Sequence, residues 1–175
     1  MSTGSPININ SIEEFLAHSL ALKCETEDRL QELADCLEEH NNLNVAHIFR
    51  ELQKLAEDSV NEIEQLAEGM ELPSIPIWEF QWHCSNSPES ACIDNAHYQM
   101  NTRQALELAK FNSRRTHRFF MLALDEIPID EIQQSAQLLL GYEEKFTSRI
   151  EQLLKDIGDE DQPMCTDLDP PNTPE

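Results

Sequence analysis

Two histidines and two cysteines, His83, Cys84, Cys92 and His97, fall within fifteen residues of one another, where soft and imidazole ligands could hold a metal. Their spacing, HC-x7-C-x4-H, is not one that tetrahedral zinc sites use. A single metal at this cluster is left open. Cys36 and His40 stand one helical turn apart, and two ligands do not make a selective site. A Cys–His nucleophile among these residues lacks a third orienting group and an oxyanion hole. With four glycines in the chain there is no glycine-rich phosphate loop. One basic cluster stands out: Arg114, Arg115, His117 and Arg118. It either pairs with carboxylates on neighbouring helices or docks an acidic segment, the chain's own tail among the choices.

The elements that must position these groups lie in an acidic chain of 175 residues with a formal charge of −22, from 34 acidic and 12 basic side chains. Phosphate binding needs lysine and arginine to displace counterions, so this balance speaks against nucleic acid and against anionic membranes. Residues 1–10 are polar, with no basic start and no apolar run, and no stretch is long enough to span a bilayer. The expectation is a cytoplasmic protein whose five cysteines are thiols.

Apolar residues recur at three- and four-residue steps in four stretches, which predicts four amphipathic helices. The first runs from about Ile12 to His40, opened by a Ser11/Glu14 capping box and closed by Asn41-Asn42. The second runs from about Asn44 to Gly69. The third, with Asn101 as N-cap and Gln104 completing a box, runs from about Thr102 to Asp125, and the fourth from about Asp130 to Ile157. Pro73, Pro76 and Pro88 break the pattern between the second and third helices. A connection of that length suits a crossover joining two parallel helices of a bundle. The expected organisation is a flexible segment 1–10, one bundle over 11–157 with its crossover at 71–100, and a disordered acidic tail 158–175. The fold class is all-α: a four-helix bundle of two helical hairpins.

The segment DNAHYQMNTRQALELAKFNSRRTHRFF, Asp94 to Phe120, resembles the bacterial rubrerythrin-like branch of the ferritin-like superfamily. WEFQW in the connection and the stretch from Phe15 to Leu52 resemble it too, so the similarity spans about residues 11–155. The resemblance implies a ferritin-like bundle whose core holds two iron ions between two lone glutamates and two Glu-x-x-His pairs. Carried onto this chain, the six ligand positions fall on Lys23, Ala56, Ser59, Ser113, Glu143 and Phe146. A one-residue slip in the second helix would place Glu57 and Val60 at its pair, still without a histidine. One carboxylate remains, which implies a degenerate di-iron site. The expected cofactor is none, with iron as the alternative.

A charge buried alone costs several kcal/mol, so Lys23 and Glu143 each need a partner. Two arrangements are open. In one, the Lys23 ammonium pairs with Glu143 in the space that metal would take, and Ser59 and Ser113 supply hydroxyls. In the other, Lys23 snorkels outward and Glu143 meets water. Glu27, one turn beyond Lys23, is a further candidate to reach Glu143 and hold a single metal. Two functions follow. One is a non-catalytic, pseudo-rubrerythrin scaffold working through protein–protein interaction or self-assembly, as a homodimer or with a protein partner. The alternative is a non-haem iron oxidoreductase acting on peroxide or ferrous iron, its site rebuilt from Glu25, Glu27, Glu57 and Glu143.

Overall fold

The computed structural model describes residues 8–76, 79 and 101–158. The extreme N-terminus (1–7), the His83/Cys84/Cys92/His97 cluster with most of the aromatic connection, and the acidic tail from 159 onward lie outside the described residues.

Four helices make up the described chain: α1 (Ile12–Glu39), α2 (Leu43–Leu66), α3 (Thr102–Glu126) and α4 (Asp130–Ile157). Local chemistry sets their ends. At α1 the Ser11 hydroxyl accepts from the Glu14 N–H at 3.1 Å. The return bond lands one residue earlier than a standard capping box, because the Glu14 carboxylate takes the Asn10 N–H at 2.9 Å. At α3 the box is complete: Asn101 Oδ1 accepts from Gln104 N–H at 2.7 Å and Gln104 Oε1 from Asn101 N–H at 3.1 Å. Asn41 adopts φ +58° between α1 and α2, a left-handed conformation that asparagine tolerates better than most residues. The second helix stops at Leu66, three residues short of the expected Gly69. Its last turn tightens, with Glu68 N–H reaching Gln65 O and Met70 N–H reaching Ala67 O, and Gly69 then takes φ +79°.

The buried residues form two apolar clusters at opposite ends of the bundle. One gathers Leu33 and Leu37 from the end of α1, Phe49 and Leu52 from the start of α2, Leu106 from the start of α3, and Ile150 from late α4. The other gathers Phe15 from the start of α1, Ile63 from the end of α2, Phe119 and Phe120 from late α3, and Ile132 from early α4. The helix directions follow from this sorting. The end of α1 lies with the starts of α2 and α3 and the end of α4, so α1 and α4 run one way and α2 and α3 the other. Hence α1–α2 and α3–α4 are antiparallel hairpins. The chain between them must travel from one end of the bundle to the other. Helix α2 alone, at 24 residues, spans about 36 Å at 1.5 Å per residue.

Three phenylalanines lock the lower cluster. The Phe15 ring stacks on Phe119 at 6.0 Å and meets Phe120 edge-on at 6.3 Å. Burying each ring stabilises the bundle by roughly 1.5–3 kcal/mol. Across the α2–α4 seam, Arg149 grips Glu51 with two bonds of 2.6 and 2.8 Å, and Tyr142 O–H donates to Glu62 at 2.8 Å. Both contacts sit where antiparallel pairing of α2 with α4 puts them.

Candidate core ion-pair site

Between the two apolar clusters lies a belt of buried polar side chains: Lys23 and Thr26 on α1, Ser59 on α2, Asn112, Ser113 and Thr116 on α3, and Glu143 on α4. Lys23 and Glu143 point inward because they share their helices' apolar stripes: Lys23 follows Leu16 by seven residues and precedes Leu30 by seven, while Glu143 follows Leu139 by four and precedes Phe146 by three. Both are 1% exposed.

At the centre, Lys23 Nζ donates to Glu143 Oε2 at 2.7 Å. The ammonium also lies 5.0 Å from the centroid of the Phe146 ring, whose face attracts a cation. The second carboxylate oxygen, Glu143 Oε1, accepts from the Ser113 hydroxyl. Ser113 Oγ is in turn 2.6 Å from Thr147 Oγ1, which lies 2.9 Å from the Glu143 backbone carbonyl one turn back. Two hydroxyl protons thus serve three contacts. Ser113 donates to the carboxylate, and the one Thr147 proton is shared between the Glu143 backbone carbonyl and the Ser113 hydroxyl. The short strong contacts suit a charge-assisted network out of water.

All six positions that the resemblance singled out are buried: Lys23, Ala56, Ser59, Ser113, Glu143 and Phe146. The structure brings Lys23, Ser113, Glu143 and Phe146 into contact. Ser59 is a correction. Its hydroxyl does not complete the pair but turns back to the Leu55 carbonyl at 3.5 Å, the local bond a helical serine makes to the preceding turn. Thr147, which the sequence reading passed over, takes that place; its position one turn after Glu143 was the available signal.

Glu27 is the second correction. It does not share a site with Glu143. The groups acting on it are Glu57, Asp28 and Glu64, together with a hydrogen bond from Gln53, all on α1 and α2. Burial, and then the nearby Glu57 charge, hold its carboxyl above the ordinary range. Burial followed by Glu27, Asp28 and Glu64 likewise pushes the Cys24 thiol up. Glu57 is exposed. Among the described residues, no three His, Cys, Asp or Glu side chains gather in a group that could hold a metal ion. Cys24 is a free thiol, and His40 Nδ1 faces the Cys36 carbonyl at 2.8 Å.

A further buried imidazole, His18, lies near the base of the bundle. Its Nδ1 is 2.8 Å from the Glu14 carbonyl and its ring stacks on Phe119 at 6.4 Å. Burial pushes its pKa down, which keeps it neutral at physiological pH. Beside the ion pair, α1, α3 and α4 leave a cavity of about 30 Å³ lined by Leu30, Ser113, Thr116 and Phe146, among others. That space is large enough to admit a water molecule.

No protein-family profile matches the sequence, and no curated protein matches it. Among solved structures, the chain is similar to the crystal structure of an uncharacterized conserved protein from Magnetospirillum magnetotacticum MS-1. The two are 27% identical with a TM-score of 0.68, over 84% of this chain and 95% of that one. The fold is an all-α, ferritin-like four-helix bundle.

Proposed function

We propose that this chain is a rubrerythrin-like scaffold whose core has exchanged a di-iron site for an ion pair, and that it works by binding rather than by catalysis. The observation that carries this reading is the 2.7 Å contact between Lys23 Nζ and Glu143 Oε2, deep in the belt where the resemblance expects metal ligands. The residues there do not fit two iron ions. Ala56 and Phe146 have no donor atoms. The Lys23 ammonium is a fixed cation that would repel divalent ions at close range. Glu143, the one carboxylate, already accepts from Lys23 and Ser113. No step of a metal reaction is therefore derived from this core.

A bundle whose interior is satisfied in this way keeps its surfaces for work. Exposed apolar side chains on three helices, Leu43 on α2, Phe111 and Met121 on α3 and Leu138 on α4, support binding to a second copy or to a protein partner. The free thiol of Cys24 supports a cytoplasmic setting. Among the described residues no helix is long and apolar enough to cross a membrane.

The test is metal content and turnover after expression in iron-rich medium. The expected result is far less than one iron per chain, no near-ultraviolet band of an oxo-bridged iron pair, and no peroxide consumption above that of buffer iron. Near-stoichiometric iron with peroxide turnover would overturn the reading in favour of an iron oxidoreductase. Light scattering of the same sample reads the number of copies.

A further inference from the structure

Helix α3 carries a cationic face on a strongly anionic protein. Between residues 108 and 124 it holds Lys110, Arg114, Arg115 and Arg118 and no aspartate or glutamate. Phe111, Arg114, Arg118 and Met121 follow at steps of three, four and three, and all four are exposed, Phe111 at 54% and Met121 at 36%. They form a single stripe: two guanidinium groups between two apolar side chains. Arg115 stands beside it, over the Phe111 ring at 5.6 Å. Lys110 is engaged by Glu151 at 3.0 Å. Among the described residues, no carboxylate comes within ion-pair distance of Arg114 or Arg118.

We propose that this stripe seats the chain's own acidic segment, residues 159–175. The chemistry is complementary. The segment has six Asp/Glu, no Lys or Arg, and the apolar residues Met164 and Leu168 interleaved with its charges. The starting point is also right. Helix α4 ends beside the first turn of α3, where the Arg103 guanidinium donates to the Gly158 carbonyl and lies 3.4 Å from the Leu154 carbonyl. From Arg103, Arg114 is about 16 Å and Arg118 about 22 Å along the helix at 1.5 Å per residue. From Gly158, Asp167 and Asp169 reach at most about 30 and 36 Å at 3.3 Å per residue. Those aspartates can meet the two arginines without full extension. Leu168 then lies between them and can turn to the apolar flank of Phe111 or Met121. A tether this short gives an effective concentration on the order of millimolar, enough for a weak ionic contact to persist. The occupied stripe is thereby withheld from acidic partners. None of this depends on whether the core ever held metal.

A nitroxide on Cys165 in the full chain, with Cys24, Cys36, Cys84 and Cys92 replaced by serine, reports the contact. Melting and amide spectra of the unlabelled form check that it folds. The expected result is selective loss of amide intensity over residues 110–121. That loss disappears in Arg114→Gln/Arg118→Gln and in 1 M NaCl, where the screening length falls to about 3 Å. In the chain with its natural cysteines, Asp167→Asn/Asp169→Asn, placed after the last helix, should move the same amide signals. Broadening centred elsewhere, or none, with no shift on α3 from the aspartate variant, overturns the proposal. So does broadening that appears only between labelled and unlabelled copies and grows with concentration, because the occupant would then be a second chain's segment.

Discussion

Replacing Lys23 with methionine keeps most of the side-chain volume and removes only the charge. In the native core the ammonium is held by Glu143 Oε2 at 2.7 Å and by the Phe146 ring at 5.0 Å, with both charged residues 1% exposed. Lys23→Met leaves the Glu143 carboxylate in that setting with Ser113 as its remaining side-chain donor. Breaking one side of a buried pair typically costs about 3–5 kcal/mol. Against a total stability of about 5–15 kcal/mol this is a large loss. Urea unfolding followed by helical circular dichroism at pH 7 measures it. Lys23→Met/Glu143→Met should recover most of the loss, since an apolar pair of similar volume often matches or exceeds a buried ion pair. Ser113 would keep Thr147 as its partner at 2.6 Å, so the double variant orphans no hydroxyl. A single-variant loss below about 1 kcal/mol, or a double-mutant cycle without coupling between the two sites, would refute the reasoning and mean that water already reaches this layer.

Three further outcomes follow from the same geometry. Asn101→Ala removes the side-chain half of the α3 capping box, leaving the residue's backbone N–H on Gln104 Oε1, and should cost about 0.5–2 kcal/mol in the same unfolding assay. Glu51→Gln breaks the two-bonded contact with Arg149 across α2 and α4; the hydrogen bonds from Arg149 hold the Glu51 carboxyl below its ordinary range, so the pair stabilises above the usual carboxylate pKa and loses that effect as pH falls through the lowered value. The change should cost about 0.2–1 kcal/mol at pH 7, less in high salt, and the difference from wild type should close in acid. Glu27→Gln has the opposite sign: burial and Glu57 raise the Glu27 carboxyl, so its ionised form opposes folding at neutral pH, and the variant should be more stable at pH 7 by roughly 0.5 kcal/mol or less. That gain should vanish below the ordinary carboxylate range, where the acid is neutral in both folded and unfolded chains; a gain that persists there would contradict the assigned cause.

The four helices were legible because their apolar residues keep a strict period, and the Asn101–Gln104 box marked a start to the residue. Inward positions were legible for the same reason: Lys23, Ser113, Glu143 and Phe146 each lie on a stripe whose neighbours are unmistakably core. The absence of donor atoms at Ala56 and Phe146 is a matter of residue type alone, and no arrangement of the backbone changes it. Gly69 marked the expected end of the second helix by its residue type, although the helix closes three residues earlier through a tightened last turn that no single residue type dictates.

Which of the inward groups meet is another matter. Lys23 and Glu143 are 120 positions apart in the chain, and only the approach of α1 to α4 brings them to 2.7 Å. Sequence spacing left Lys23 free to turn toward Glu143 or toward solvent, Ser59 free to join the pair or to fold back on Leu55, and Glu27 free to face α4 or α2. Helical period fixes a residue's direction only to within a broad arc, whereas a hydrogen bond needs tenths of an ångström and a particular rotamer. The sequence by itself determined four amphipathic rods and the kinds of atoms their inner faces present. The packing of those rods decided the partners, because interhelical distance and neighbouring side-chain volume select one rotamer where the isolated helix permits several.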